Sequence, residues 1–258
     1  MPLRSTKNNA KKVKKRKTDQ KGIVLPPFGV SALLFISGFI MFPISIALAR
    51  TLFAAEAELG SRSVLGMSNT SGMFLIGFLL FALIYIAFQI PSMPYVFGHE
   101  LTHAIFGLAR GAGVSKLKVR EEEGSVNVTE GGILVLLSPY FFPIYTVVLL
   151  LVFGGVSLVT PLQGNVVGKI VAGLVGLTWS FHFCFTINGL LQRQRDLEIY
   201  GFFFSFSFIL MMNLLALCLM FVALSPFSMG ELFTLWKEMM GSTLFWFWDA
   251  FCNFMWPV

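Results

Sequence analysis

His99-Glu100-Leu101-Thr102-His103 is the stretch of this chain whose residue types and spacing could do chemistry. Two histidines four apart on a helix lie on one face, with β-carbons about 5–6 Å apart. Both imidazoles can then reach one metal at bonds of about 2.0–2.1 Å. The glutamate between them lies beside that metal, free to act as a base toward a water. In a soluble chain five residues with two free positions recur by chance. Here the pentad runs on directly from a long apolar segment, where ionisable side chains cost about 2.5–3.5 kcal/mol each on insertion scales. That cost favours a metal site, with His99 and His103 as ligands and Glu100 as base, over a solvated helix end.

The elements that must position these residues are membrane helices. Hydrophobic residues make up 56% of the 258 and charged residues 12%, with a mean hydropathy of +0.77. A soluble globule carries about 25% charged residues, so that class is excluded. The 29 phenylalanines suit lipid-facing and bundle-packing surfaces. Cys184, Cys218 and Cys252 are odd in number, lie in apolar surroundings and form no metal-spaced pair, so neither a disulfide framework nor a thiolate site is expected.

Nine of the nineteen basic residues fall in the first twenty-one positions. Directly before a membrane span, such a run reads as a cytoplasmic anchor drawn to anionic lipid rather than as a nucleic-acid arm. Residues 1–26 are therefore expected to be a disordered basic tail, 27–225 the membrane core and 226–258 a Trp-rich tail. Ala55-Glu56-Ala57 resembles a signal cleavage triplet. The apolar stretch before it far exceeds the usual 7–15 residues of a signal core, which favours an uncleaved first span.

Apolar runs of about 20 residues mark spanning helices. Five are expected, at about Phe28–Phe53, Met73–Phe97, Gly131–Leu158, Val166–Leu191 and Tyr200–Leu224. The second is interrupted by Pro91 and Pro94, and the third by Pro139 and Pro143. Four of the five tryptophans follow Gly230. Because Trp prefers the interface, the tail is expected to be a surface-lying or re-entrant helix. The fold class is thus an all-α polytopic membrane protein. With a cytoplasmic N-terminus, fifteen of the nineteen basic residues lie on that face, in accord with the positive-inside rule.

This topology puts the end of the second span and the end of the fourth on one side of the membrane. Asp196, in Gln192-Arg193-Gln194-Arg195-Asp196, is then a candidate third metal ligand or a solvated loop acid. His182 is the rival. It lies fourteen residues earlier, about 21 Å along a continuous helix, so both can serve one metal only if the helix breaks at Asn188-Gly189. Alternatively, His182 is a buried residue bonded to a backbone carbonyl. Gly168, Ala172 and Gly176 give the same helix a small-residue face for close packing. After the pentad, Leu117 and Val119 alternate with Lys116, Lys118 and Arg120, and Val126 and Val128 alternate with Asn127 and Thr129. With Glu123-Gly124-Ser125 as the turn signal, a short cytoplasmic β-hairpin is expected. Its edge could hold an extended peptide.

Taken together, these residues resemble the site-2 protease family of zinc intramembrane metalloproteases. The likeness rests on Gly98-His99-Glu100-Leu101-Thr102-His103-Ala104 in a membrane helix. A β-rich stretch follows, then a Pro-containing span and a helix delivering an aspartate. The compact bacterial-type members without a PDZ insertion are the nearest in pattern, through Gln194, Asp196, Leu197, Gly201, Ser205 and Asn213. The resemblance covers roughly Phe97 to Asn213. Thr102 stands where many members have glycine, and the Leu-Asp-Gly triplet of one branch is absent. What the resemblance implies is Zn2+ held by His99, His103 and Asp196, Glu100 as general base, and a membrane-protein substrate. It also implies a bacterial inner membrane as the location. Leu117, Val119, Val126, Val128, His182 and Asn213 are candidate substrate-binding residues. A catalytically silent scaffold of the same fold would be expected to lose Glu100, and a transporter to distribute polar residues through the bilayer on several helices.

Overall fold

The computed structural model describes residues 27–60, 69–88, 90–119, 124–129, 131–157, 166–192 and 194–256. The basic run at 1–26 lies outside them, as do Arg120 and Glu121 to Glu123. Among the described residues the regular structure is helical apart from one hairpin, in the order α1 (Phe28–Gly60), α2 (Asn69–Ala87), α3 (Met93–Ala109), β1 (Val114–Val119), β2 (Gly124–Val128), α4 (Ile133–Phe141), α5 (Ile144–Ser157), α6 (Val166–Leu191), α7 (Arg195–Glu198), α8 (Phe202–Leu224) and α9 (Met229–Met255). Among the described residues, α1, α2, α6 and α8 are long and apolar enough to cross a membrane, and α4 with α5 form a fifth span if the bent pair is one crossing. The chain is an all-α polytopic membrane protein.

Two expected spans are broken, both at prolines. The second stops at Ala87, and the pentad sits on its own helix, α3, which has Ser92 as N-cap and Pro94 in its first turn. A proline lacks the N–H that a helix interior needs, but the first turn leaves that donor unused. Pro94 therefore starts a helix where it could not continue one. The third span divides into α4 and α5, which meet at a bend of 75°. Phe142, which precedes Pro143, is forced into extended backbone at φ −100°, ψ 101°, as the residue before proline commonly is.

Close helix approach holds the bundle together. A β-carbon at Gly77 on α2 would overlap the Gly173 carbonyl of α6, and one at Gly176 would overlap the Phe74 carbonyl of α2. Only glycine lets these two backbones touch, which accounts for the small-residue face read at Gly176. On the other side, α1 packs along α8 and α9 through Leu48, Ala55, Cys218 and Leu232. The tail is one unbroken helix, opened by a capping box in which the Glu231 amide donates to Ser228 Oγ at 3.2 Å and the Ser228 amide to Glu231 Oε2 at 2.7 Å. Its later tryptophans, Trp246, Trp248 and Trp256, are exposed.

The hairpin is antiparallel, with Val114 opposite Val128 and Val119 opposite Gly124, and a bulge lies between Ser115 and Lys118. Gly124 and Ser125, expected in the turn, belong to β2.

Candidate metal centre

Helix α3 carries the pentad into a cleft between β2, α4 and the α6–α7 connection. It is tied to α5 by the Tyr145 hydroxyl, which donates to the Pro94 carbonyl at 2.5 Å. Gly98 permits the approach, since a β-carbon there would stand 3.0 Å from the Tyr145 ring and 3.2 Å from Ile144. Thr102, the departure from the family pattern, is buried with its hydroxyl bonded back to the Gly98 carbonyl at 2.7 Å. A threonine hydroxyl that bonds within its own helix can be buried without an outside partner.

His103 is oriented by a proline thirty-six residues on. Its Nδ1 lies 2.8 Å from the Val135 carbonyl. In an unbroken helix that carbonyl would accept from the amide of residue 139. Residue 139 is Pro139, inside α4, so the amide is missing and the carbonyl is left for side chains. His103 takes it, together with the Ser138 hydroxyl at 2.9 Å. An Nδ1–H bond to a carbonyl fixes the tautomer and leaves Nε2 as the ligand atom.

Asp196 arrives from the opposite side on α7, and the residues of the downstream motif hold it there. Gln194 accepts from the Tyr140 hydroxyl, which also lies 3.5 Å from Asp196 Oδ2. Leu197 is fully buried in the core with Leu137 and Tyr140. The Ser205 hydroxyl donates to the Leu197 carbonyl at 3.1 Å. Gly201 has φ +84°, a conformation that glycine adopts freely and other residues rarely do, and it turns the chain from α7 into α8. Asn213 Nδ2 donates to the Tyr140 carbonyl at 3.0 Å and so braces the tyrosine. Arg195 and Glu198 beside Asp196 stay exposed while the aspartate turns inward.

The three side chains converge. Asp196 Oδ2 lies 3.7 Å from His99 Nε2 and 3.6 Å from His103 Nε2, and the three ligand atoms are all within 4.8 Å of one another. A tetrahedral ion with bonds of about 2.0–2.1 Å has ligand atoms about 3.3–3.4 Å apart, so the two contacts to Asp196 close on one metal with shifts of a few tenths of an ångström, and the histidine pair lies within reach of the same ion. Burial alone would push the Asp196 carboxyl up. Hydrogen bonding to His103 and His99, and their charge, outweigh burial and hold it well below the usual carboxylate range. An anionic oxygen between two imidazole nitrogens suits a divalent cation.

The cleft has a volume of about 620 Å³, and its walls include His99, Glu100, His103 and Asp196. Glu100 is 9% exposed and lies against β2, because Gly124 has no β-carbon. One built there would stand 2.6 Å from both Glu100 Cγ and Oε1. At the other end of the strand, Val128 rests on Gly107, where a β-carbon would come within 2.7 Å of it. Two glycine contacts therefore lay β2 along α3.

The structure brings together His99, Glu100, His103 and Asp196. Of the candidate substrate residues, Val126 and Val128 line the cleft, whereas Leu117 and Val119 are on β1, which does not line it. Asn213 sits behind Tyr140. His182 lies outside the ligand cluster, because α6 runs unbroken through Asn188-Gly189 to Leu191. Sequence reasoning missed Tyr140, Gly124 and the Val135 carbonyl. Pro139, four residues after Val135, was the one legible signal among them. No family model, curated protein or solved structure matches this chain.

Proposed function

We propose that this protein is a zinc-dependent intramembrane endopeptidase, hydrolysing peptide bonds of membrane-protein substrates within or next to the bilayer. The reading is carried by the Glu100 carboxylate, which shares one cleft with a cluster of two imidazoles and a carboxylate. Three protein ligands with one position left open are the usual set of a catalytic zinc. His99, His103 and Asp196 would hold the zinc, which would supply Lewis-acid chemistry, lowering the pKa of a water to about 7 and polarising the scissile carbonyl. Glu100 takes a proton from the attacking water as its oxygen bonds to the carbonyl carbon. The same carboxyl gives that proton to the amide nitrogen as the C–N bond breaks, leaving a new carboxyl and a new amine.

A transmembrane helix hides its carbonyls in its own hydrogen bonds, so the substrate must unwind locally. The sheet has two strands among the described residues. An unwound segment would pair by strand addition along β2, beside Val126 and Val128. The basic N-terminal run anchors to anionic lipid, with no role for nucleic acid. The distribution of basic residues supports a cleft at the cytoplasmic face, and the site-2 protease resemblance supports a bacterial inner membrane.

The test is Glu100→Gln, which keeps the shape and removes the proton acceptor. Zinc content should be unchanged while cleavage of a co-expressed membrane substrate falls by about 10²–10⁴-fold. Cleavage at the wild-type rate would end the protease reading.

A further inference from the structure

Beside His99 lies a second, smaller space. It has room for a single water, about 10 Å³, and its walls include Tyr95, His99, Thr102 and His182. Three buried polar atoms on those residues have no hydrogen-bond partner: Tyr95 OH, His99 Nδ1 and His182 Nε2. The Thr102 hydroxyl is already committed to the Gly98 carbonyl.

An unpaired polar group in an apolar interior costs about 1–3 kcal/mol, so His99 Nδ1 and His182 Nε2 beside one void call for a common partner. The chemistry of each is set by its other contacts. His99 Nε2 faces Asp196 and the metal position, so Nδ1 carries the proton and must donate. His182 faces the Tyr140 carbonyl and the Asn213 carboxamide. The Tyr140 carbonyl accepts from Asn213 Nδ2 at 3.0 Å and has a second lone pair, which suits the His182 Nδ1–H. That leaves His182 Nε2 as an acceptor lone pair. A donor and an acceptor then face the same water-sized space, and a water accepts from the one and donates to the other. These two partners satisfy the 2–4 that a buried water takes.

We propose that His182 is a positioning residue of the metal centre, holding the His99 imidazole through one water bound between His99 Nδ1 and His182 Nε2. Metal-ligating histidines donate their second N–H to a fixed acceptor, and loss of that acceptor costs about 10–100-fold in metal affinity. His103 meets the requirement directly at the Val135 carbonyl. His99 meets it through His182, which explains a polar side chain buried in the middle of an apolar spanning helix. The inference rests on the metal-centre reading and not on proteolysis.

Cobalt(II) titration of the full chain in detergent tests it, with the visible d–d bands reporting ligand geometry. His182→Leu should weaken cobalt binding by about 10–100-fold and shift the bands. His182→Gln, which keeps a polar acceptor at that position, should restore affinity to within a few-fold of wild type. Wild-type affinity and spectrum in His182→Leu would overturn the proposal. If His182→Leu does not fold, as judged by its metal-free thermal melt, His182→Phe carries the test. That variant keeps a ring of similar size without the acceptor nitrogen and should weaken cobalt at least about 10-fold; unchanged binding would equally overturn the proposal. Absence of cobalt binding by the wild type would instead sink the metal centre itself, and this inference with it.

Discussion

Gly124→Ala is the sharpest test of how the hairpin meets the centre. The added methyl carbon would stand 2.6 Å from Glu100 Cγ and Oε1 and 2.7 Å from Val96 Cγ1, where ordinary contact begins at 3.4 Å. Something must therefore yield by about 0.8 Å. Glu100 Cγ is only two bonds from the α3 backbone, and Val96 blocks the methyl on a second side, so swinging the carboxylate away does not relieve the overlap. Either β2 lifts off α3 or the Glu100 side chain leaves its position. A misplacement of about 1 Å at a reacting group costs on the order of 10²-fold in rate. None of the three ligand side chains is among the atoms nearest the added carbon, so zinc content should stay at the wild-type value. The assay pairs initial rates on a membrane-peptide substrate with metal analysis of the same sample. Gly131→Ala is the control, since Gly131 also lines the cleft but has nothing within 4 Å of an added β-carbon. Wild-type turnover in Gly124→Ala would refute the placement of β2 against the base, and equal losses of zinc and activity would show that the variant acts through the metal instead.

Asp196→Ala removes a ligand rather than a partner of one, so its loss of zinc affinity should exceed the 10–100-fold expected when an outer partner is removed. Zinc retained at full occupancy, measured on purified protein, would take Asp196 out of the centre. Gly176→Val should cost about 1–3 kcal/mol or more, because its side chain would enter the Phe74 carbonyl of α2. Gly155→Ala, in open space on α5, should leave the detergent melt nearly unchanged, and matching melts for the two would count against the close α2–α6 contact.

The spans were legible because hydrocarbon imposes a simple rule on sequence: about 20 apolar residues in a row. The fourth expected span and α6 share the bounds Val166–Leu191. The pentad was legible because helical spacing alone puts His99 and His103 on one face. Asp196 was accessible through chain topology, and the burial of Leu197, the positive φ of Gly201 and the Ser205 bond all serve its placement. Prolines were visible as interruptions, but their effect was not. Whether Pro91 and Pro94 kink one helix or separate two depends on what the freed carbonyls and donors find nearby.

The sequence by itself thus determined what is local or periodic: the apolar lengths, the facing histidines, the glutamate between them and the alternation of the hairpin. Tertiary structure decided which of two candidates became the third member of the cluster. It kept α6 straight, so that His182 stayed below the cluster, and turned the chain at α7 to bring Asp196 in. It also gave Pro139 its role, because a missing amide matters only when a histidine from another helix reaches the carbonyl it leaves free. Gly124 carried only a turn signal, and Tyr140 had no periodic or motif signal at all. Their importance lies in distances between segments far apart in the chain, set by packing that one-dimensional patterns do not encode.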